Sequence, residues 1–290
     1  MKRLSLEDKG VVDSFYRRAP TELGYLSFAG EISVNHGHRN NVYYEVLGDS
    51  LFYIEESPED GERTLIPVFL EQELASRPGL IRGYMEAEGI SSVAYVDSAF
   101  VKSLEKTLKL HPDSDSEHEA IYPIERFSEF KGVDSQRRQA NIFFRNNFYA
   151  YSFSPYDREN GSSLIQLAKD WERDSQHPTE GCDVRIAEFF VKNSSALGIL
   201  GFNLLMDREV AAYAFGEKIK DNTFVIYAIK ANRKFRGIYQ AFWNLMCSSP
   251  ELESIQFINN TNLTDVQGLR ESKLRLKPER MVVPWVGELL

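Results

Sequence analysis

The densest run of cations in the chain is Lys230-Ala231-Asn232-Arg233-Lys234-Phe235-Arg236-Gly237. It closes a strand pattern and opens a helix pattern, so the free N–H groups of a helix start would meet clustered positive charge there. Such a place suits phosphate, whether of a nucleotide, a coenzyme A or an RNA. Cations at a helix start oppose the macrodipole, which argues that something anionic sits beside them. Downstream, Arg270 and Lys273 lie three apart and share a helix face suited to a carboxylate or phosphate. Arg138, Asn141 and Arg145 form a polar stripe opposite an apolar one of Ala140, Phe144 and Phe148. For proton transfer the candidates are Glu217, at a strand end beside Gly216, and Asp265. Tyr227 and Tyr239 could donate a proton, with core packing as the competing role in a chain of 14 tyrosines.

Other chemistries find little support. His36 and His38 are two apart but have no third ligand at sensible spacing, so they read as a polar loop rather than a metal site. Cys182 and Cys247 make neither a disulfide framework nor a four-cysteine zinc site. No Ser-His-Asp set is visible, and Trp171 and Trp243 sit among apolar helix neighbours and read as core.

The 290 residues carry 34 Lys+Arg against 43 Asp+Glu, a net charge of -9, which excludes broad coating of nucleic acid. Residues 1–145 hold 17 basic and 25 acidic residues, whereas from 228 onward nine basic residues face six acidic ones. This balance leaves a local anion site in the C-terminal half open. The hydrophobic share of 42% provides for a packed core, and no apolar run approaches a membrane span. A cytoplasmic location is the expectation, with the oligomeric state open.

The elements that must position these residues read as one order used twice. In the first half, a helix over 6–18 and an aromatic segment at 25–28 precede strands at 41–47, 50–55 and 63–69. A helix over 71–88, a strand at 91–96, a helix over 99–110 and a strand at 120–124 follow. In the second half, helices over 162–174 and 184–197 precede strands at 199–206, 209–217 and 223–230. Then come a helix over 235–246, a strand at 254–259, a short helix over 265–272 and an extended run to 283. A basic helix over 136–147 lies between the halves. The pattern predicts two α/β/α domains, 1–150 and 151–290, each a mixed sheet flanked by helices, with the site in the second.

Three meander strands followed by a turn and helix resemble the acetyl-CoA site of the acetyltransferase (GNAT) superfamily. Lys234-Phe235-Arg236-Gly237-Ile238-Tyr239 corresponds to the pyrophosphate loop, with Tyr239 where a small residue lets backbone approach phosphate. A wider combination is more specific: Phe257-Ile258-Asn259-Asn260, then Gly268-Leu269-Arg270-Glu271-Ser272-Lys273-Leu274, then Lys277-Pro278. Together with Tyr122-Pro123-Ile124-Glu125-Arg126-Phe127 and Arg137-Arg138-Gln139-Ala140-Asn141, it resembles the family related to the C-terminal domain of phosphatidylglycerol lysyltransferases, a bacterial group of tandem acetyltransferase-like proteins. That resemblance implies transfer of an aminoacyl group from aminoacyl-tRNA, or an acyl group from acyl-CoA, to an amine or hydroxyl acceptor. The acceptor would be a small molecule, a lipid headgroup or a peptide, and Fem-type aminoacyltransferases are similar in architecture and donor. The candidate substrate- or anion-binding residues are then Lys230, Arg233, Arg236, Gly237, Tyr239, Asn259, Arg270, Lys273 and Arg138, and the candidate catalytic ones Glu217 and Asp265. Leu263 stands where family members carry an acid, with Asp265 in a different register. A non-catalytic protein binding an anionic small molecule or a protein partner is the alternative.

Overall fold

A computed structural model describes residues 1–70, 78–220 and 222–290, and the first part of the helix expected over 71–88 lies outside them. The chain divides into two compact units, Met1–Glu119 with Met281–Leu290, and Ala120–Arg280. The division therefore falls earlier than the position near 150 read from the sequence. The basic helix expected between the halves belongs wholly to the second unit.

The first unit is built on a seven-stranded sheet. Its strands, in spatial order, are β1 (Lys2–Arg3), β2 (Asn41–Leu47), β3 (Ser50–Glu56), β4 (Arg63–Phe69), β5 (Ser92–Val96), β14 (Trp285–Leu289) and β6 (Leu108–Pro112). β2, β3 and β4 form an antiparallel meander, and β4 runs parallel to β5 only through Thr64↔Ser92 and Leu65↔Val93. Its helices are α1 (Lys9–Tyr16), α2 (Phe28–His38), α3 (Pro78–Glu88) and α4 (Val101–Leu104). Phe52, Leu65, Phe69, Met85, Val93 and Phe100 lie in one buried cluster. Two readings change here. His36 and His38 lie in α2, not a loop; Ser27 caps that helix by accepting from the Gly30 N–H. The helix expected over 99–110 stops at Leu104, because Leu108–Pro112 pairs with the C-terminal strand.

The second unit's sheet runs β13 (Arg280–Val282), β7 (Glu119–Pro123), β12 (Phe257–Asn262), β11 (Thr223–Ala231), β10 (Glu209–Ile219), β9 (Leu200–Met206) and β8 (Tyr151–Pro155). α7 (Gly161–Arg173) and α8 (Cys182–Leu197) turn Leu164, Leu167, Ile186 and Phe190 inward. α5 (Glu125–Ser128) and α6 (Asp134–Asn146) pack with α9 (Ile238–Cys247), and α10 (Gln267–Arg275) follows β12. Phe224, Phe202, Phe153 and Phe242 chain together toward α9, while Tyr213, Phe215, Tyr156 and Phe190 do so toward α8. β10 lies between them and is buried along almost its whole length. No helix among the described residues is long and apolar enough to cross a membrane.

Candidate functional site

β11 runs parallel to β12 for three residue pairs, Thr223↔Phe257, Phe224↔Ile258 and Val225↔Asn259, and there the ladder ends. Beyond it, Ile226–Ala231 have no strand partner on that side among the described residues. Just past the parting, β11 and β10 lose register: Phe215 pairs with Ala228 but Gly216 with Ile226, so Tyr227 is an extra residue. Such a bulge re-aims a side chain. The Tyr227 hydroxyl donates to Glu217 Oε1 at 2.7 Å, and its ring lies 6.3 Å from that of Phe190 on α8. A Cβ on Gly216 would fall 2.0 Å from the Val225 carbonyl oxygen, so only glycine admits this approach. The expected base Glu217 is thus held by a phenol beside the opening.

The far end of β11 meets the α7–α8 corner. Lys230 Nζ pairs with Asp183 Oδ2 at 2.7 Å and lies 3.7 Å from the centroid of Trp171, whose ring also carries Arg233 at 4.9 Å. Trp171 is therefore a half-buried platform at the end of α7 rather than part of the core. Asp183 stands in the first turn of α8, where the helix dipole favours an anion. The loop between the helices is fixed by Glu172, which accepts from the Thr179 N–H at 2.7 Å, its hydroxyl at 2.7 Å and the Gly181 N–H at 3.0 Å. Burial works to raise the Glu172 pKa, but these donors outweigh it and hold the carboxyl below its ordinary value. Burial pushes the Tyr239 and Tyr213 phenols up, so both stay protonated at neutral pH. The Cys182 thiol, pushed to about 11 by burial and by Asp183, is no nucleophile there.

A pocket opens between this platform and the turn after β11, lined by Trp171, Asp170, Asp174, Asn232, Arg233 and Lys234 among others. Arg173 bonds both aspartates, at 2.8 and 3.1 Å, leaving Arg233 and Lys234 as its cations without an acidic partner among the described residues. Asn232 Oδ1 accepts from the Lys234 N–H at 3.0 Å and sets the turn.

The remaining candidates scatter. Arg236 is exposed, and Gly237 (φ 83°) caps α9. A Cβ on Gly237 would fall 2.0 Å from the Gln139 carbonyl oxygen of α6, so its small size serves the packing of two helices. Arg138, next to Gln139, is exposed on α6. Asn259 is fully buried and accepts from the Thr261 N–H at 2.8 Å, shaping the strand end. Lys273 spends its ammonium on two β12 carbonyls, Asn260 at 2.7 Å and Asn262 at 2.5 Å, while its own carbonyl accepts from the Tyr122 hydroxyl. Lys273 thereby ties α10 to β12 and β7. Arg270 is half-buried on α10, Asp265 is exposed before it, and Leu263 lies in the core at 4% exposure.

Lys230, Arg233 and Tyr239 are thus brought to one corner, with Glu217 nearer the parting on the same strand pair. Trp171, Asp183, Glu172 and Tyr213 complete the corner and were not among the sequence candidates. The one signal for Trp171 was its place in the last turn of a helix, beside charged residues.

Two sheets that each contain a meander, a short parallel pairing and a parting point to one architecture. The fold is GNAT-like, used twice. No family model matches the chain, and no curated protein does. A conserved protein of unknown function from Bacteroides thetaiotaomicron superposes with a TM-score of 0.87 at 20% identity, over 100% of this chain and 99% of that one. L-PGS from Bacillus licheniformis does so at 0.65 and 14% identity, over 97% and 91%. FemX follows at 0.61 and 10% identity, over 100% and 98%. At these identities the likeness establishes the fold alone.

Proposed function

We propose that the chain is a cytoplasmic transferase that takes an aminoacyl group from an aminoacyl-tRNA and passes it to an amine or hydroxyl acceptor at the opening between β11 and β12. The observation that carries this reading is the early parting of the two strands together with a pocket at the far end of β11 whose cations, Arg233 and Lys234, have no acidic partner among the described residues. An aminoacyl ester is already activated, so positioning, oxyanion stabilisation and one proton transfer suffice. Main-chain N–H groups of β11 past Val225 are the donors for the oxyanion. Glu217, oriented by Tyr227, takes the proton from the attacking nucleophile and returns it to the ribose oxygen as the ester bond breaks, so that the deacylated tRNA leaves with a free hydroxyl. Arg233 and Lys234 hold donor phosphate. Lys230 builds the platform, because Asp183 neutralises it.

Acyl-CoA is the less favoured donor. The Gln139 carbonyl oxygen lies over Gly237, placing partial negative charge where a pyrophosphate would approach the start of α9. The acceptor classes that fit this reading are a lipid headgroup, a peptide and a small molecule. Leu263, buried in the core, favours the second reading, a binder without turnover.

The test is release of label from charged tRNA in the presence of candidate acceptors. Glu217→Gln is expected to lower turnover by about 10²-fold, the scale of one acid–base group. Arg233→Ala with Lys234→Ala raises KM for the donor. Turnover of acetyl-CoA but not of any charged tRNA would overturn the choice of donor.

A further inference from the structure

Outside the pocket, the α6–β8 corner breaks a local rule. Residues 147–150 form a turn closed by the Ala150 N–H on the Asn147 carbonyl at 2.9 Å. Turn tips ordinarily carry Gly, Pro, Asn, Asp or Ser. Here they are Phe148, 67% exposed, and Tyr149, 95% exposed. The two rings meet edge to face, with centroids 4.7 Å apart at 82°. The base of the turn is rigid, since Tyr151 packs on Phe143 and Phe144 at 5.6 and 5.9 Å. An exposed aromatic pair held out on a fixed base is costly unless something covers it.

The charge around it says what. From Ser135 to Tyr156 there are three arginines and no Asp or Glu, in a chain of net charge -9. Arg138 and Arg145 lie two helical turns apart on one face of α6, both exposed, and lead toward the tip, while Ala140 and Phe143 face inward. Arg137 is also exposed, beside Asp134 at 3.8 Å.

We propose that this corner docks on an anionic phospholipid surface, with Phe148 and Tyr149 entering the headgroup layer and Arg138 and Arg145 meeting lipid phosphates. Aromatic side chains partition to that layer, and arginines near an anionic surface add attraction that salt screens. The edge-to-face pairing favours lipid over single-stranded RNA: one ring's edge covers the other's face, leaving less free π-surface for bases, whereas insertion needs only an apolar body. The inference does not rest on the transferase reading.

The test is co-sedimentation of the full chain with vesicles of phosphatidylcholine, with and without phosphatidylglycerol, at low and high salt. Binding is expected only with phosphatidylglycerol and only at low salt. Phe148→Ser with Tyr149→Ser should lower it by about tenfold without changing the circular dichroism spectrum, as both side chains face solvent. Arg138→Gln with Arg145→Gln should abolish the preference for phosphatidylglycerol. As an independent readout, Tyr149→Trp should add a blue-shifted fluorescence component when those vesicles are added. Absence of vesicle binding, undiminished binding by the aromatic variant, or tighter binding to single-stranded RNA lost in that same variant would overturn the proposal.

Discussion

Lys230 and Lys273 look alike in the sequence, as cations near a strand or helix end, and each is committed to holding the second unit's own structure together. Lys230 is held by Asp183 and the Trp171 ring, and Lys273 by two strand carbonyls. Replacing Asp183 by Asn leaves a half-buried ammonium without its carboxylate, and urea unfolding should show a loss of about 1–2 kcal/mol. The thiols make a second residue-scale expectation: Cys182 and Cys247 are both held protonated by burial, so iodoacetamide should label neither in native protein at neutral pH. A third concerns the first unit. Asn35 Nδ2 donates to Glu31 Oε1 and Glu55 Oε1, both at 3.0 Å, and burial together with Glu55 raises the Glu31 pKa well above 4.5. A raised folded pKa gives stability that is complete below the unfolded value and lost as pH rises toward the folded one. Calorimetry should therefore show the first unit weakening from pH 4.5 upward, with Glu31→Gln removing that dependence. Which cations were free was not legible in the sequence, because partners such as Asp183 and the β12 carbonyls come from distant elements.

At the scale of elements, the meanders were readable from alternation and from turn residues such as Gly48-Asp49. The missed elements show where pattern gives out. α2 contains Gly30 and Gly37, which weaken helix propensity, yet it forms because Ser27 caps it and seven of its residues are buried. β8 at Tyr151–Pro155 is a sheet edge with no fully buried residue, so it carries little hydrophobic signal. Two glycines mark where element packing is tightest. Gly216→Ala would drive a Cβ into the Val225 carbonyl at the bulge, and Gly237→Ala would drive one into α6. Each should lower the second unit's stability by more than about 2 kcal/mol, read from urea unfolding. Equal stability of Gly237→Ala would contradict the close approach of α6 and α9.

For the whole molecule, the duplicated order was legible, but an exchange of strands was not. β14, from the chain's C-terminal end, lies between β5 and β6; β7, which ends the first half, lies between β12 and β13. These are counterpart places, each beside the strand that runs parallel to the meander. A short alternating run reveals a strand but not the sheet it joins, so the pattern puts the boundary near 150 whereas the units divide after Glu119. Removing residues 284–290 should leave β5 and β6 without their shared partner and lower the first unit's unfolding temperature, with the second unit's transition kept. The central claim, a donor site at the turn after β11, is tested most directly by thermal shift with charged tRNA, uncharged tRNA and coenzyme A. A ligand at 100 times its Kd stabilises by about 2.7 kcal/mol. The expected result is a shift with charged tRNA that Arg233→Ala with Lys234→Ala removes. No shift with any of the three, or one that the double variant leaves intact, would contradict the account.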